Sequence, residues 1–167
     1  MRVIGKAMAI GALTVAALLA ATSGPAQAAS TFTIRVVPLS NPFLYLDVDH
    51  AQTGDGAGVI VWSRSGNNQV WTFQPVGAAY QIVNQRSGKC LQTNGPGTQL
   101  VQWRCKGTGN QLWNTDLTPN SITAHAIWNA DSAVYMDVSG NGGAGSPVIG
   151  WYPNGGTNQS WLVGFGS

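Results

Sequence analysis

Tryptophan, asparagine, glutamine and aspartate recur along this chain at a near-constant spacing. Asn68-Gln69-Val70-Trp71, Asn110-Gln111-Leu112-Trp113 and Asn158-Gln159-Ser160-Trp161 share one pattern, and their tryptophans stand 42 and 48 residues apart. A further tryptophan lies seven or eight residues before each Gln: Trp62, Trp103 and Trp151. Further upstream come Tyr45-Leu46-Asp47-Val48, Cys90-Leu91-Gln92-Thr93 and Tyr135-Met136-Asp137-Val138. These residue types suit the reversible holding of a polar, uncharged ligand. An indole ring offers its face to C–H groups through dispersion and its quadrupole. A carboxylate accepts charge-assisted hydrogen bonds, about twice as strong as neutral ones. An amide both donates and accepts, so it reads the direction of a hydroxyl.

Such side chains need a scaffold that presents them three times over. Trp62, Trp103 and Trp151 each follow a β-prone run, respectively Val59-Ile60-Val61, Leu100-Val101-Gln102 and Val148-Ile149-Gly150. One repeat therefore reads strand, strand, Gly-rich loop, strand, turn, strand, and the repeats fall at about 31–76, 77–119 and 120–167. A β-propeller typically needs four to eight blades to close, and three would leave open edges. About twelve strands in pseudo-threefold array instead predict an all-β fold, a β-trefoil: a closed six-stranded barrel capped by three hairpins. If Val59 and Val61 face the core, Trp62 points outward; the opposite phase buries Trp62 beside Ile60.

The chain has 167 residues, room for one folded domain. Arg2 and Lys6 precede an uncharged stretch from Ala7 to Ala29, and Ala26-Gln27-Ala28 follows its apolar part. That is the pattern of a secretory signal peptide over 1–28, with the mature domain at 29–167. The apolar run from Ala7 to Ala21 falls short of the ~20 residues needed to span a bilayer. Past the leader, Arg35, Arg64, Arg86, Lys89, Arg104 and Lys106 balance Asp47, Asp49, Asp55, Asp116, Asp131 and Asp137. A neutral domain lacks the electrostatic footprint for nucleic acid or an anionic membrane, so neither is an expected partner. The expected location is extracellular.

The triple Gln-x-Trp pattern, preceded by Leu-Asp-Val and a tryptophan-bearing strand, resembles the ricin B-type lectin family from about Thr31 to Phe165. The leader and single domain resemble those of a secreted bacterial protein. The family resemblance implies carbohydrate binding through one shallow pocket per repeat, without cofactor or metal. Carried over residue by residue, it implies sugar-binding roles for Asp47, Trp62 and Asn68 in the first repeat, and for Asp137, Trp151 and Asn158 in the third. The second repeat keeps Trp103 and Asn110 but has Gln92 in place of the aspartate, which predicts a weaker pocket. Ile60, Val101 and Ile149 stand where members often carry Gln, making each pocket more apolar. Gln69 and Gln159 are weaker sugar-contact candidates; together with Gln111 they also suit satisfying nearby backbone. Trp71, Trp113 and Trp161 suit the barrel floor. Asp47 and Asp137 have a rival role in capping local turns, and His50 either rims the first pocket or sits on an exposed turn. Cys90 and Cys105 lie where the family bridges within a repeat, which implies a disulfide; two buried thiols are the alternative.

Other readings carry less. Gly140 to Gly145 satisfies G-x-G-x-x-G, yet Ser146-Pro147-Val148-Ile149 follows instead of the helix a pyrophosphate site requires. His50 and His125 have no matching Glu or free Cys at metal-ligand spacing. A glycosidase needs two carboxyl groups, and Asp47 with Asp49 is the single local pair in a chain without glutamate. A shallow wet pocket also lacks the desolvation that tunes a general acid, so no enzymatic activity is expected. The predicted function is binding of neutral glycans or polysaccharide through repeats one and three. A protein-binding trefoil, such as a protease inhibitor or toxin-associated subunit, is the alternative, and a separate catalytic or toxin chain is a further candidate partner.

Overall fold

The computed structural model describes residues 30–116, 123–140 and 142–165. The predicted leader, 1–28, lies outside the described residues. Twelve strands occur, four to a repeat. The first repeat holds β1 (Phe32–Pro38), β2 (Leu44–Val48), β3 (Val59–Ser63) and β4 (Trp71–Val76). The second holds β5 (Ala79–Asn84), β6 (Cys90–Gln92), β7 (Val101–Trp103) and β8 (Trp113–Thr115). The third holds β9 (Ile127–Asn129), β10 (Tyr135–Val138), β11 (Val148–Trp151) and β12 (Trp161–Phe165). Among the described residues the only helical pieces are single 3-10 turns.

Six strands form a ring through antiparallel pairs: β12 with β1, β1 with β4, β4 with β5, β5 with β8, and β8 with β9. The ring closes between β9 and β12, where His125 and Trp161 exchange two backbone hydrogen bonds of 2.8 Å. Closure removes the exposed edges that a three-bladed sheet array would leave. The other six strands make three hairpins, β2–β3, β6–β7 and β10–β11. Neighbouring hairpins touch in cyclic order, through bridges Gly58–Val101, Gln99–Ile149 and Pro147–Ile60. This is the β-trefoil that the repeat pattern predicts.

Trp71, Trp113 and Trp161 open β4, β8 and β12 and are fully buried. Their indole Nε1 groups donate to the carbonyls of Leu46, Leu91 and Met136, each at 3.0 Å. A buried indole thus keeps its polar edge satisfied while filling the core beside Val59, Phe73, Ile82, Leu100, Ile127 and Val148. Leu46, Leu91 and Met136 each immediately precede the residue that the sequence marks as the polar centre of its repeat. The core tryptophans therefore tie each hairpin to the barrel at the base of its candidate site. Cys90 and Cys105 form a disulfide with a Cα–Cα distance of 5.1 Å, joining β6 to the chain after β7.

Candidate functional site

Hairpin register places the candidate residues side by side. Residues two apart on a strand share a face, and directly opposed residues on a paired strand share it too. Asp47 opposes Ile60 and Tyr45 opposes Trp62. Asp137 opposes Ile149, and Tyr135 opposes Trp151, in the same way. The alternate residues, among them Leu46, Val48, Val59 and Val61, turn into the core. Trp62 and Trp151 are consequently 46% and 42% exposed, whereas the carboxylates below them are buried.

In the first repeat Asp47 lies at the foot of a cleft of about 850 Å³, with Trp62, Asn68, His50 and Ile60 among its walls. Asn68 Nδ2 donates to Asp47 Oδ1 at 2.9 Å, and Gln69 Nε2 donates to Asp47 Oδ2 at 2.6 Å. Ser65 Oγ reaches the same oxygen at 3.4 Å. Gln69 also donates to the Ser63 carbonyl at 2.7 Å and accepts from the Ser65 backbone N–H at 2.7 Å and from Arg35 at 3.2 Å. Every polar atom of the Gln69 amide is thereby engaged, as expected of a residue that orients the carboxylate. Burial pushes the Asp47 carboxyl above its ordinary pKa, against the lowering pull of the Gln69, Asn68 and Ser65 hydrogen bonds. His50 is exposed, pairs with Asp49 through Nδ1 at 2.9 Å, and also rims the cleft. It and Ala51 adopt φ of 50° and 51°, a left-handed pair that turns the chain around the cleft rim.

The third repeat builds a smaller cleft of about 490 Å³ from Asp137, Ile149, Trp151, Asn154 and Asn158 with neighbouring backbone. Gln159 Nε2 donates to Asp137 Oδ2 at 2.8 Å and to the Tyr152 carbonyl at 2.8 Å. The second amide on Asp137 comes from Asn154 Nδ2 at 3.3 Å. Asn158 lines this cleft, but the contact with the carboxylate that Asn68 makes in the first repeat passes to Asn154 in the third. Asn154 and Ser65 both stand three residues after the platform tryptophan, and both backbone N–H groups donate to the orienting Gln. Spacing from the platform tryptophan, rather than from Gln-x-Trp, is the signal that marks them.

The second repeat keeps the frame and changes the chemistry. Gln111 Nε2 donates to Gln92 Oε1 and to the Arg104 carbonyl, both at 3.0 Å. Asn110 Nδ2 turns to the Thr93 carbonyl at 3.3 Å. Trp103 is only partly exposed, and the ammonium of Lys106 lies over its ring, 5.7 Å from the centroid.

The model of the family described as ricin-type beta-trefoil lectin domain-like matches residues 23–103 and again 67–151. The chain belongs to this lectin-domain family. Among solved structures, the designed threefold-symmetric protein ThreeFoil is 30% identical with a TM-score of 0.72, covering 78% of this chain and 96% of that one. An exo-β-1,3-galactanase from Clostridium thermocellum is 25% identical with a TM-score of 0.72, covering 80% of this chain but 30% of its own. The ricin B-like lectin of Macrolepiota procera, solved with lactose, shares the fold at 24% identity and a TM-score of 0.69, covering 84% of this chain and 100% of that one. No curated protein matches the chain in sequence.

The lectin frame also joins one repeat to the next. Gly56 lies against Trp103, Gly97 against Trp151 and Gly145 against Trp62, so each platform ring is backed by a glycine from another repeat. All three glycines hold positive φ, between 76° and 88°. Among the described residues, no three His, Cys, Asp or Glu side chains group as metal ligands would.

Proposed function

We propose that this lectin domain is a secreted module that binds neutral glycans, galactose-type sugars and polysaccharides among them, through its first and third repeats. One observation carries the reading: in both repeats a buried carboxylate, oriented by a glutamine amide, lies beside an exposed tryptophan face and an asparagine. A sugar's C–H face would stack on Trp62 or Trp151, and neighbouring hydroxyls would donate to Asp47 or Asp137. Asn68 and Asn158 would fix the orientation of a further hydroxyl, with Gln69 and Gln159 acting through the carboxylate. The Macrolepiota lectin's lactose and the N-acetylgalactosamine held by the earthworm R-type lectin are in keeping with ligands of this class. The predicted leader and the disulfide both favour an oxidising, extracellular setting.

A single pocket of one ring and a few polar bonds binds with a Kd of about 0.1–1 mM. Two pockets on one rigid body gain up to about 10²–10⁴-fold on a polymer that spans them. The test is retention of the mature domain on neutral galactan and on lactose-agarose. Wild type should be held far more strongly by the polymer, and Trp62→Ala with Trp151→Ala should release it. Equal retention of that folded double variant would overturn the reading, and so would binding of no neutral glycan at all.

A further inference from the structure

The three repeats place unlike chemistry on one frame. The backbone N–H three residues past each platform tryptophan donates to the orienting glutamine, at 2.7 Å for Ser65, 2.8 Å for Lys106 and 2.9 Å for Asn154. These three positions are therefore equivalent. Ser65 and Asn154 turn their short side chains to a carboxylate. In the second repeat that carboxylate is an amide, Gln92, and the short donor is an ammonium, Lys106. Both changes move the site the same way, from an acceptor of hydroxyl protons to a holder of negative charge.

The surroundings reinforce the change. Over 77–119 the chain carries Arg86, Lys89, Arg104 and Lys106 against Asp116 alone, while 120–167 has no Lys or Arg. Lys89 and Arg104 share one carboxylate, Asp55, at 2.7 and 2.9 Å. Among the described residues no carboxylate pairs with Lys106, whose ammonium rests on the Trp103 ring. An exposed ammonium on an indole is readily surrendered to a true anion, because the ring quadrupole is a weaker partner than a full charge.

We infer that the second repeat is a separate site for an anionic sugar, a pyranose bearing a carboxylate or a sulfate ester. Lys106 takes the anionic group, Trp103 takes the C–H face once the ammonium has moved aside, and Gln92 Oε1, which accepts from Gln111 while Nε2 donates to Asn94, accepts from a hydroxyl with its second lone pair. The use of Trp103 as a sugar platform rests on the lectin reading; the charge inversion does not. Excess positive charge from Lys89, Arg104 and Lys106 over Asp55 draws the anion in, within a screening distance of about 8 Å at physiological salt.

The test uses the Trp62→Ala, Trp151→Ala domain, in which the neutral pockets are removed, on polygalacturonate and on sulfated galactan, with neutral galactan as reference. Retention on one of the two anionic polymers is expected at about 0.15 M salt, weakening as salt rises, and the polymer that retains tells carboxylate from sulfate. Lys106→Gln should weaken it about tenfold or more and leave neutral-galactan binding of the otherwise wild-type domain unchanged. Gln92→Asp should weaken it similarly, by giving Lys106 an internal partner. Trp103→Leu, which keeps every charge, should also lose it. No retention on either anionic polymer, or retention indifferent to Lys106→Gln, overturns the inference. Retention lost in Lys106→Gln but intact in folded Trp103→Leu also overturns it, as mere ion exchange. If wild type ignores neutral galactan while the anionic polymers behave as stated, the neutral-pocket reading fails and this one stands.

Discussion

Gly145 of the third repeat lies against Trp62 of the first, where an added methyl would meet Cζ3 at 3.5 Å. The ring is thus held on one edge by a loop distant in sequence, and Trp62 remains 46% exposed. Gly56 with Trp103 and Gly97 with Trp151 repeat the relation around the barrel. Each of these rings therefore depends on a hairpin loop it does not belong to, so on the proposed reading no repeat would form its pocket alone.

Gly145→Ala tests that dependence. Gly145 holds φ of 88°, which an alanine adopts only at a cost of about 1–2 kcal/mol. The added methyl meets Trp62 in ordinary contact, so relief of backbone strain is what would move the loop away from the ring. Melting temperature should fall, and neutral-glycan binding by a Trp151→Ala background should weaken several-fold. Gly77→Ala, at φ of 61° with open space around it, should lose similar stability and keep its affinity.

The carboxylate and the ring should separate in mutagenesis. Trp62 is exposed, so Trp62→Ala should cost little stability and remove first-repeat binding. Asp47 is buried and accepts from Asn68 and Gln69, so Asp47→Ala leaves one N–H of each buried amide without its acceptor, while Asn68 keeps the Val48 carbonyl and Gln69 the Ser63 carbonyl. Each such loss costs about 1–3 kcal/mol. Thermal melts beside glycan titrations check this: a cheap Asp47→Ala would show that the amides find other partners.

Much of this was legible before the fold was in view. Gln-x-Trp marks Trp71, Trp113 and Trp161 because a fully buried indole at three equivalent places demands one residue type and one register. Strand alternation left the phase of Trp62 open; the fold resolves it by turning Val59 and Val61 inward while Ile60 lies beneath the cleft. The contact from Asn154 to Asp137 was not legible, since the loop after Trp151 has no periodicity to read. Nor was Gly145 on Trp62, because the two stand 83 residues apart and meet only where the third hairpin docks on the first, through the Ile60–Pro147 bridge. Lys106 belongs to no motif in the sequence; the hydrogen bond from its backbone to Gln111 is what aligns it with Ser65 and Asn154.

The disulfide should serve stability rather than neutral-sugar binding. Cys90 and Cys105 are 15 residues apart, and closing such a loop stabilises a fold by about 3 kcal/mol in the chain-entropy model. Cys90→Ala with Cys105→Ala should lower the melting temperature by about 10 °C and leave retention on neutral galactan intact. A loss of that retention in the still-folded variant would tie the second repeat to the neutral pockets.

Acid should silence the first repeat before it weakens the fold. Burial lifts the Asp47 carboxyl above the ordinary 3.8, with Asp49 pushing the same way. The folded state holds this proton more tightly than the unfolded chain, so Asp47 favours folding most below pH 3.8, and that contribution fades as pH rises through its folded pKa. Asp55 behaves oppositely: Lys89, then Arg104, holds its carboxyl down at about 2. Its contribution to stability is complete above pH 3.8 and is lost as pH falls from there through 2. In a Trp151→Ala background, neutral-glycan binding should therefore begin to weaken on acidification while the pH is still above 3.8, as the charged acceptor is lost. Circular dichroism should show no unfolding in that range. Below it the melting temperature should drop, and Asp55→Asn should flatten that part of the profile. Affinity and melting temperature falling together along one titration curve would show that Asp47 is not the acceptor on which the pocket relies.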